Sequence, residues 1–316
     1  MKKSLSVFCL LLLLANLILP CYGETEDITV GALTGPTAMG MAQLLDVPYY
    51  QPAIFGAADE LTPRILAGEI DIAAVPANLA ATLYNKTQGG VTVLAVNVLG
   101  VLYIGEMGSS DIASVADLMG KTILATGKGS TPEYFLRYIL TQNGLDPDQD
   151  VTLEWKSEPS EVVALLNARQ SGIAMLPQPY VTAAAGQLGD GFRVALSLSE
   201  EWGKLENGTQ CTTAVVLART EFVKNHPEET DAFLETLAES VQWVNENPED
   251  AGALCESYGI IKAAVAQKAI PGCNLVCITG SAMKEALSGC LQVIYDQNPK
   301  AVGGAMPGND FYYGAA

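Results

Sequence analysis

The sequence predicts an α/β protein of two lobes, each a mainly parallel sheet flanked by helices, joined by two crossings of the chain. Three observations carry that expectation. A short apolar strand runs straight into a helix through a turn of small polar residues at four places. Strand and helix patterns alternate through residues 28–196, which implies right-handed βαβ crossovers. Beyond Cys211 the chain offers one strand and then helices, too little for an α/β lobe of its own. That segment is therefore expected to return to the first lobe, leaving the middle of the chain as an insertion and the crossings as a hinge.

The elements follow in order. Residues 28–33 form an apolar strand that enters Thr34-Gly35-Pro36-Thr37 and then an apolar helical run from Ala38 to residue 45. A strand at 52–55 precedes a helix for which Thr62 and Pro63 supply cap and first turn and which Gly68 ends. Residues 70–75 enter Pro76-Ala77-Asn78 and a helix to residue 84, and one long apolar strand is expected over 91–104. The second lobe takes strands at 122–126, 151–155, 172–176 and 192–196. Between them lie helices at 132–142, opened by Pro132 and closed by Gly144, at 160–169 and at 180–188. After a strand at 212–217, Phe233, Leu237, Val241 and Val244 share one helical face, while Glu228, Glu229, Asp231, Glu235 and Glu239 fall elsewhere. Asn247-Pro248 stops that helix and starts another. The glycine-rich tail from residue 302 has no period, and Phe311, Tyr312 and Tyr313 are expected to dock it. The expected division is 24–107 with 211–316 for lobe one, and 108–210 for lobe two.

The first residues set the compartment. Lys2 and Lys3, an almost wholly apolar run over 7–19 and an acidic stretch at 24–27 read as a secretory signal over 1–23, too short for a membrane span. Cleavage there puts Cys21 at −3 and Gly23 at −1. The competing reading is a lipid anchor on Cys21, which Pro20 before it fits poorly. Removing the signal takes Lys2 and Lys3 from the 17 basic residues and none of the 35 acidic ones, so the formal charge moves from −18 to −20. Such a surface repels nucleic acid and acidic lipid. Hydrophobic residues at 49% exclude a disordered chain, and the length suits two lobes with a core each. Cys211, Cys255, Cys273, Cys277 and Cys290 make no zinc spacing, and either one disulfide among the last four or buried free thiols is open.

First helical turns have unpaired N–H groups at a positive dipole end, and in open α/β sheets they gather where ligands bind. Thr34, Gly35, Pro36, Thr37 and Ala38 form the first candidate, with the Thr37 hydroxyl as the donor to test; a capped βα turn uses the same residues locally. Lys128, Gly129, Ser130 and Thr131, after Gly127, are its counterpart in the second lobe, where Lys128 either adds charge or is simply solvated. Pro76, Ala77 and Asn78 form a third mouth, and Gln178 and Tyr180, beside Pro177 and Pro179, a fourth; their amides can read an uncharged ligand. Tyr103 and Tyr180 either stack on a ring or fill partial core. Glu158 faces the cleft or caps the helix after it.

With these residues in place the chain resembles the type II solute-binding proteins of ABC importers. The resemblance rests on residues 28–33 with Gly35-Pro36-Thr37, on Leu66-Ala67-Gly68-Glu69-Ile70-Asp71-Ile72-Ala73, and on Ser114-Val115-Ala116-Asp117-Leu118-Met119-Gly120-Lys121. Gly129-Ser130-Thr131, Gly144-Leu145 and Trp243 with Asn247-Pro248-Glu249 follow in the family's order, so the match runs from 28 to about 300. It is similar to the branch that binds nitrate, sulfonates, taurine or a thiamine-precursor pyrimidine. The resemblance implies a monomeric exported receptor that captures a small organic or anionic molecule between its lobes and delivers it to an ABC permease, without a cofactor. Two other classes compete. A Ser-His-Asp or Cys-His enzyme would need a histidine near the cleft, but the single one, His226, opens a polar helix. The pyrimidine-synthase relatives of the fold use an active-site histidine and a cysteine-rich iron site, and the sequence shows no counterpart of either. A ligand sensor would need a signalling module, and none is visible.

Overall fold

The computed structural model describes residues 27–315; the expected leader, its cleavage point and Cys21 lie outside them. The chain begins β1 (Ile28–Leu33), α1 (Pro36–Met39), β2 (Tyr50–Phe55), α2 (Ala58–Leu66), β3 (Ile72–Pro76), α3 (Ala77–Thr87), β4 (Val91–Val98) and β5 (Leu102–Met107). It continues as β6 (Thr122–Thr126), α4 (Thr131–Gln142), β7 (Thr152–Lys156), α5 (Pro159–Arg169), β8 (Gly172–Pro177), α6 (Tyr180–Leu188), β9 (Phe192–Ser197) and α7 (Leu198–Gly203). The last third holds β10 (Ala214–Arg219), α8 (Thr220–Asn225), α9 (Pro227–Glu246), α10 (Pro248–Ser257), α11 (Ala263–Ala269), β11 (Leu275–Ile278) and α12 (Gly280–Gln297).

The strands form two separate sheets, ordered β11-β4-β10-β3-β1-β2 and β7-β6-β8-β5-β9. β1, β2 and β3 run parallel, as do β6, β7 and β8, which is the expected βαβ winding. Each sheet also takes a strand against that direction: β10 runs antiparallel to both β3 and β4, and β5 antiparallel to both β8 and β9. The strands that enter from the other sheet arrive from the opposite end, so both sheets are mixed.

The expected strand over 91–104 is also two. β4 lies in the first sheet and β5 in the second, with residues 99–101 crossing between them. Residues 102–107, placed with the first lobe on the sequence, therefore pair in the second sheet. A second crossing follows α7 and leads into β10. The two crossings touch: a β-carbon on Gly100 would fall 2.9 Å from Cys211 Sγ, and Thr213 N–H donates to Val98 O.

Two further elements differ from expectation. Residues 38–45 are not one helix; α1 stops at Met39 and turns follow. Ser240 of α9 is the cause. Its hydroxyl donates to Gly40 O at 3.0 Å and accepts from Leu44 N–H at 3.1 Å, intercepting the pair that a continuing helix would join. α2 starts before Thr62, at Ala58, with Pro63 inside it and the Glu60 carboxylate accepting from Gly56 N–H.

Packing on the two faces of the first sheet builds the core. Ala32, Ala38, Met39, Val216, Phe233 and Leu237 belong to one buried cluster. On the other face, Met283, Leu287 and Leu291 of α12 join Ala80 and Leu83 of α3 and Phe135, Leu136 and Ile139 of α4 in a cluster that reaches into both sheets. The tail docks as expected: Phe311 is fully buried, 5.0 Å ring to ring from Tyr84, and Tyr313 OH donates to Asp231 at 2.7 Å. All five described cysteines are free thiols. Burial pushes Cys255, Cys273 and Cys290 up to about 12 and Cys277 up to about 11.

Candidate functional site

The junctions face one another across the line between the sheets. Leu33 ends β1, and Gly35 turns the chain with φ of 96°, a left-handed value that suits glycine. A β-carbon there would lie 3.8 Å from Pro179 Cδ, so the first junction meets the Pro177-Gln178-Pro179 turn of the other sheet. The first junction is less free than its sequence suggests. α1 has four residues, and the N–H groups of Ala38 and Met39 both bond to Gly35 O. Thr34 N–H donates to Phe55 O. The Thr37 hydroxyl donates to Leu33 O at 2.5 Å, so its proton is engaged within the turn rather than offered outward.

The second and third junctions touch directly. Thr131 Oγ1 donates to Asn78 Oδ1 at 3.0 Å, and both residues are buried. Asn78 Nδ2 donates in turn to Ala301 O at 3.2 Å, so the segment after α12 shares this contact. Ser130 Oγ donates to Gly127 O, and Gly129 N–H to the Glu133 carboxylate at 2.6 Å. Lys128 is exposed. A cavity of about 320 Å³ opens beside this contact, lined by Pro76, Asn78, Gly129, Ser130 and Lys300.

At the fourth junction Tyr103 OH donates to Gly272 O at 2.9 Å, reaching from the second sheet to the loop before β11. Gln178 packs on the same glycine, where a β-carbon would fall 2.7 Å from Gln178 Nε2, and its Oε1 accepts from Thr182 at 2.8 Å. Burial, more than any nearby charge, raises the Tyr103 phenol; Tyr180 is raised by burial and then by the Glu158 carboxylate. Glu158 stands at the start of α5 without making a capping bond. A second cavity, about 350 Å³, is lined by Tyr103, Gln178, Val181, Thr182, Val194 and Lys268. Pro36, Ala77 and Tyr180 stand at the mouths, with Ala77 N–H donating to Thr213 O.

Sequence reasoning missed three residues at this edge. Asn97 is 2% exposed and donates through Nδ2 to Thr37 O at 3.1 Å, while its Oδ1 has no partner. Thr212 and Thr213, leading into β10, also have buried hydroxyls without partners. The signal for Asn97 was a lone amide in the apolar run 91–104. His226 lies between α8 and α9, its ring stacked on Phe222 at 5.0 Å. Among the described residues no cluster suits a metal ion, and no helix is long and apolar enough to cross a membrane.

Two sheets with strand-to-helix junctions apposed, linked by two crossings, define the type II periplasmic-binding fold. The chain belongs to the NMT1-like family, which matches residues 38–258. A solved ABC transporter protein from Parabacteroides distasonis is similar at 24% identity and TM-score 0.78, covering 91% of this chain and 98% of its own. The periplasmic aliphatic sulphonate binding protein SsuA from Escherichia coli superposes at TM-score 0.73 and 19% identity, covering 92% and 93%. The periplasmic nitrate-binding protein NrtA from Synechocystis PCC 6803 is more distant, at TM-score 0.54 and 18% identity over 77% and 70%. No curated protein sequence matches the chain.

Proposed function

We propose that this protein is an extracytoplasmic solute receptor that closes on a small organic or anionic molecule and delivers it to an ABC import permease. The observation that carries the reading is the meeting of four strand-to-helix junctions from two sheets, with two chain crossings behind them. That arrangement encloses a ligand by rotation of one lobe against the other. The lobes are 27–98 with 214–315, and 102–203, the boundary following β5 into the second sheet. The solved sulphonate- and nitrate-binding proteins that share this fold favour import over catalysis. Export through a leader over 1–23 fits the same role. Mass spectrometry of small molecules released from the protein purified under native conditions tests the reading. A defined compound that rebinds stoichiometrically supports it, and turnover of that compound by the protein would sink it.

A further inference from the structure

Asn97 occupies an irregular place in the first sheet. Along β10, Ala214 pairs with Val98 and Val215 with Val96, so Asn97 is the extra residue of a β-bulge. Bulges re-aim a side chain and gather next to functional sites. Here the bulge lies at the end of β4, immediately before the first crossing, and turns the amide toward Thr37 of the first junction. The orientation of that amide is set by chemistry. Thr37 O accepts only, so the NH₂ must face it, and Oδ1 is left as a buried acceptor with nothing donating to it.

Thr212 shares the same side of the sheet. Ala214, Val216 and Ala218 pack in the cluster that holds Ala38 and Met39, whereas Val215 and Leu217 pack in the other. Strand alternation carries Thr212 to the Ala38 side, where its fully buried hydroxyl has no partner either. A buried oxygen left unpaired is costly and calls for a partner. Among the described residues no cation balances the site: Lys128, Lys268 and Lys300 are exposed. An anion drawn into this edge would be desolvated without a counter-charge.

We infer that Asn97 and Thr212 form the ligand-reading pair of the first lobe, and that the ligand presents an N–H or O–H donor to Asn97 Oδ1. This deepens, and rests on, the receptor reading above. Its ligand is a neutral, donor-bearing molecule such as an amide, an amino-heterocycle or a polyol. A bare oxyanion such as a sulfonate or nitrate has no proton to give.

The test uses the exported chain and matched probes: methanesulfonamide against methanesulfonate, benzenesulfonamide against benzenesulfonate, urea against nitrate, and a deproteinised cell extract. Binding is read by melting temperature and by mass spectrometry of the retained compound. The expected result is a retained compound with an N–H or O–H donor, and preference within any bound pair for the donor-bearing member. In addition, Thr212→Val should leave the melting temperature of the empty protein unchanged or raised, because it deletes an unpaired hydroxyl. The same variant should weaken the retained compound about tenfold or more. Asn97→Ala should weaken it at least as much. Preference for sulfonate or nitrate overturns the inference while leaving the receptor standing. So does Thr212→Val with full affinity, or with a lowered melting temperature when empty. No retained compound from any source overturns the receptor reading itself, and this inference with it.

Discussion

At the scale of single residues, Thr37 shows how a side chain's local bond decides its use. Its hydroxyl proton goes to Leu33 O, so Thr37→Ala removes a bond of the turn. We expect the empty protein to lose about 1 kcal/mol in a urea melt, with affinity changing by less than about threefold. A loss of binding without loss of stability would return Thr37 to the ligand. Glu106 carries a buried charge that the fold holds with several bonds. Burial alone would raise its carboxyl, but bonds from Ser109, the Asp111 and Ile112 N–H groups and Arg193 reverse that and hold it below the usual carboxylate range. A carboxyl depressed in the folded state contributes stability above its unfolded value, and that stability is lost as pH falls through the lower folded value. Unfolding free energy measured between neutral pH and about pH 3 should therefore fall at the acid end, and Glu106→Gln should flatten that fall. The buried thiols, held up near 12, should resist alkylation at pH 8 until the chain unfolds. Fast labelling of native Cys290 would contradict the packing around it.

At the scale of elements, the wedge of Ser240 into residues 40–44 is the clearest case of tertiary structure overriding local pattern. Ser240→Ala leaves Gly40 O and Leu44 N–H facing a buried methyl. The cost should be about 1–3 kcal/mol by denaturant melt, unless residues 40–44 close into a helix and recover the bond. The parallel βαβ units were readable because apolar strands, proline starts and glycine stops are local signals, and β1, β3, β6 and β8 lie where those signals put them. The break between β4 and β5 was not, since residues 91–104 are apolar on both sides of it and a crossing between sheets is fixed by pairing partners distant in sequence. The same holds for the site. Thr131, Asn78 and Gln178 were singled out by their turns and Tyr103 as an aromatic, whereas the bonds among them and to Gly272 and Ala301 join residues that no local pattern relates. Asn97 escaped notice because its meaning comes from a bulge, which shows only in the register against β10.

At the scale of the whole molecule, closure is the property to measure. A ligand that touches both lobes favours the closed form and stabilises it by mass action, by about 2.7 kcal/mol at a hundred times its dissociation constant. Scattering should give a radius of gyration for the ligand-bound protein no larger than for the empty one, and Thr131→Val, which deletes a bond between the lobes, should enlarge the empty protein alone. An unchanged radius in that variant would mean that the contact between Asn78 and Thr131 does not hold the lobes together. The contacts that join the junctions also set a clock. On the proposed function, Thr131 to Asn78 and Tyr103 to Gly272 lie at the edges a ligand would approach, so they would have to part before it enters. Uptake is then gated: in a stopped-flow trace the observed rate climbs with solute concentration only until it reaches the frequency at which the lobes separate, and there it levels off. Loosening either contact would lift that ceiling, and a protein with the proposed function would exchange a slower, better-sealed hold on its solute for faster capture when solute is scarce.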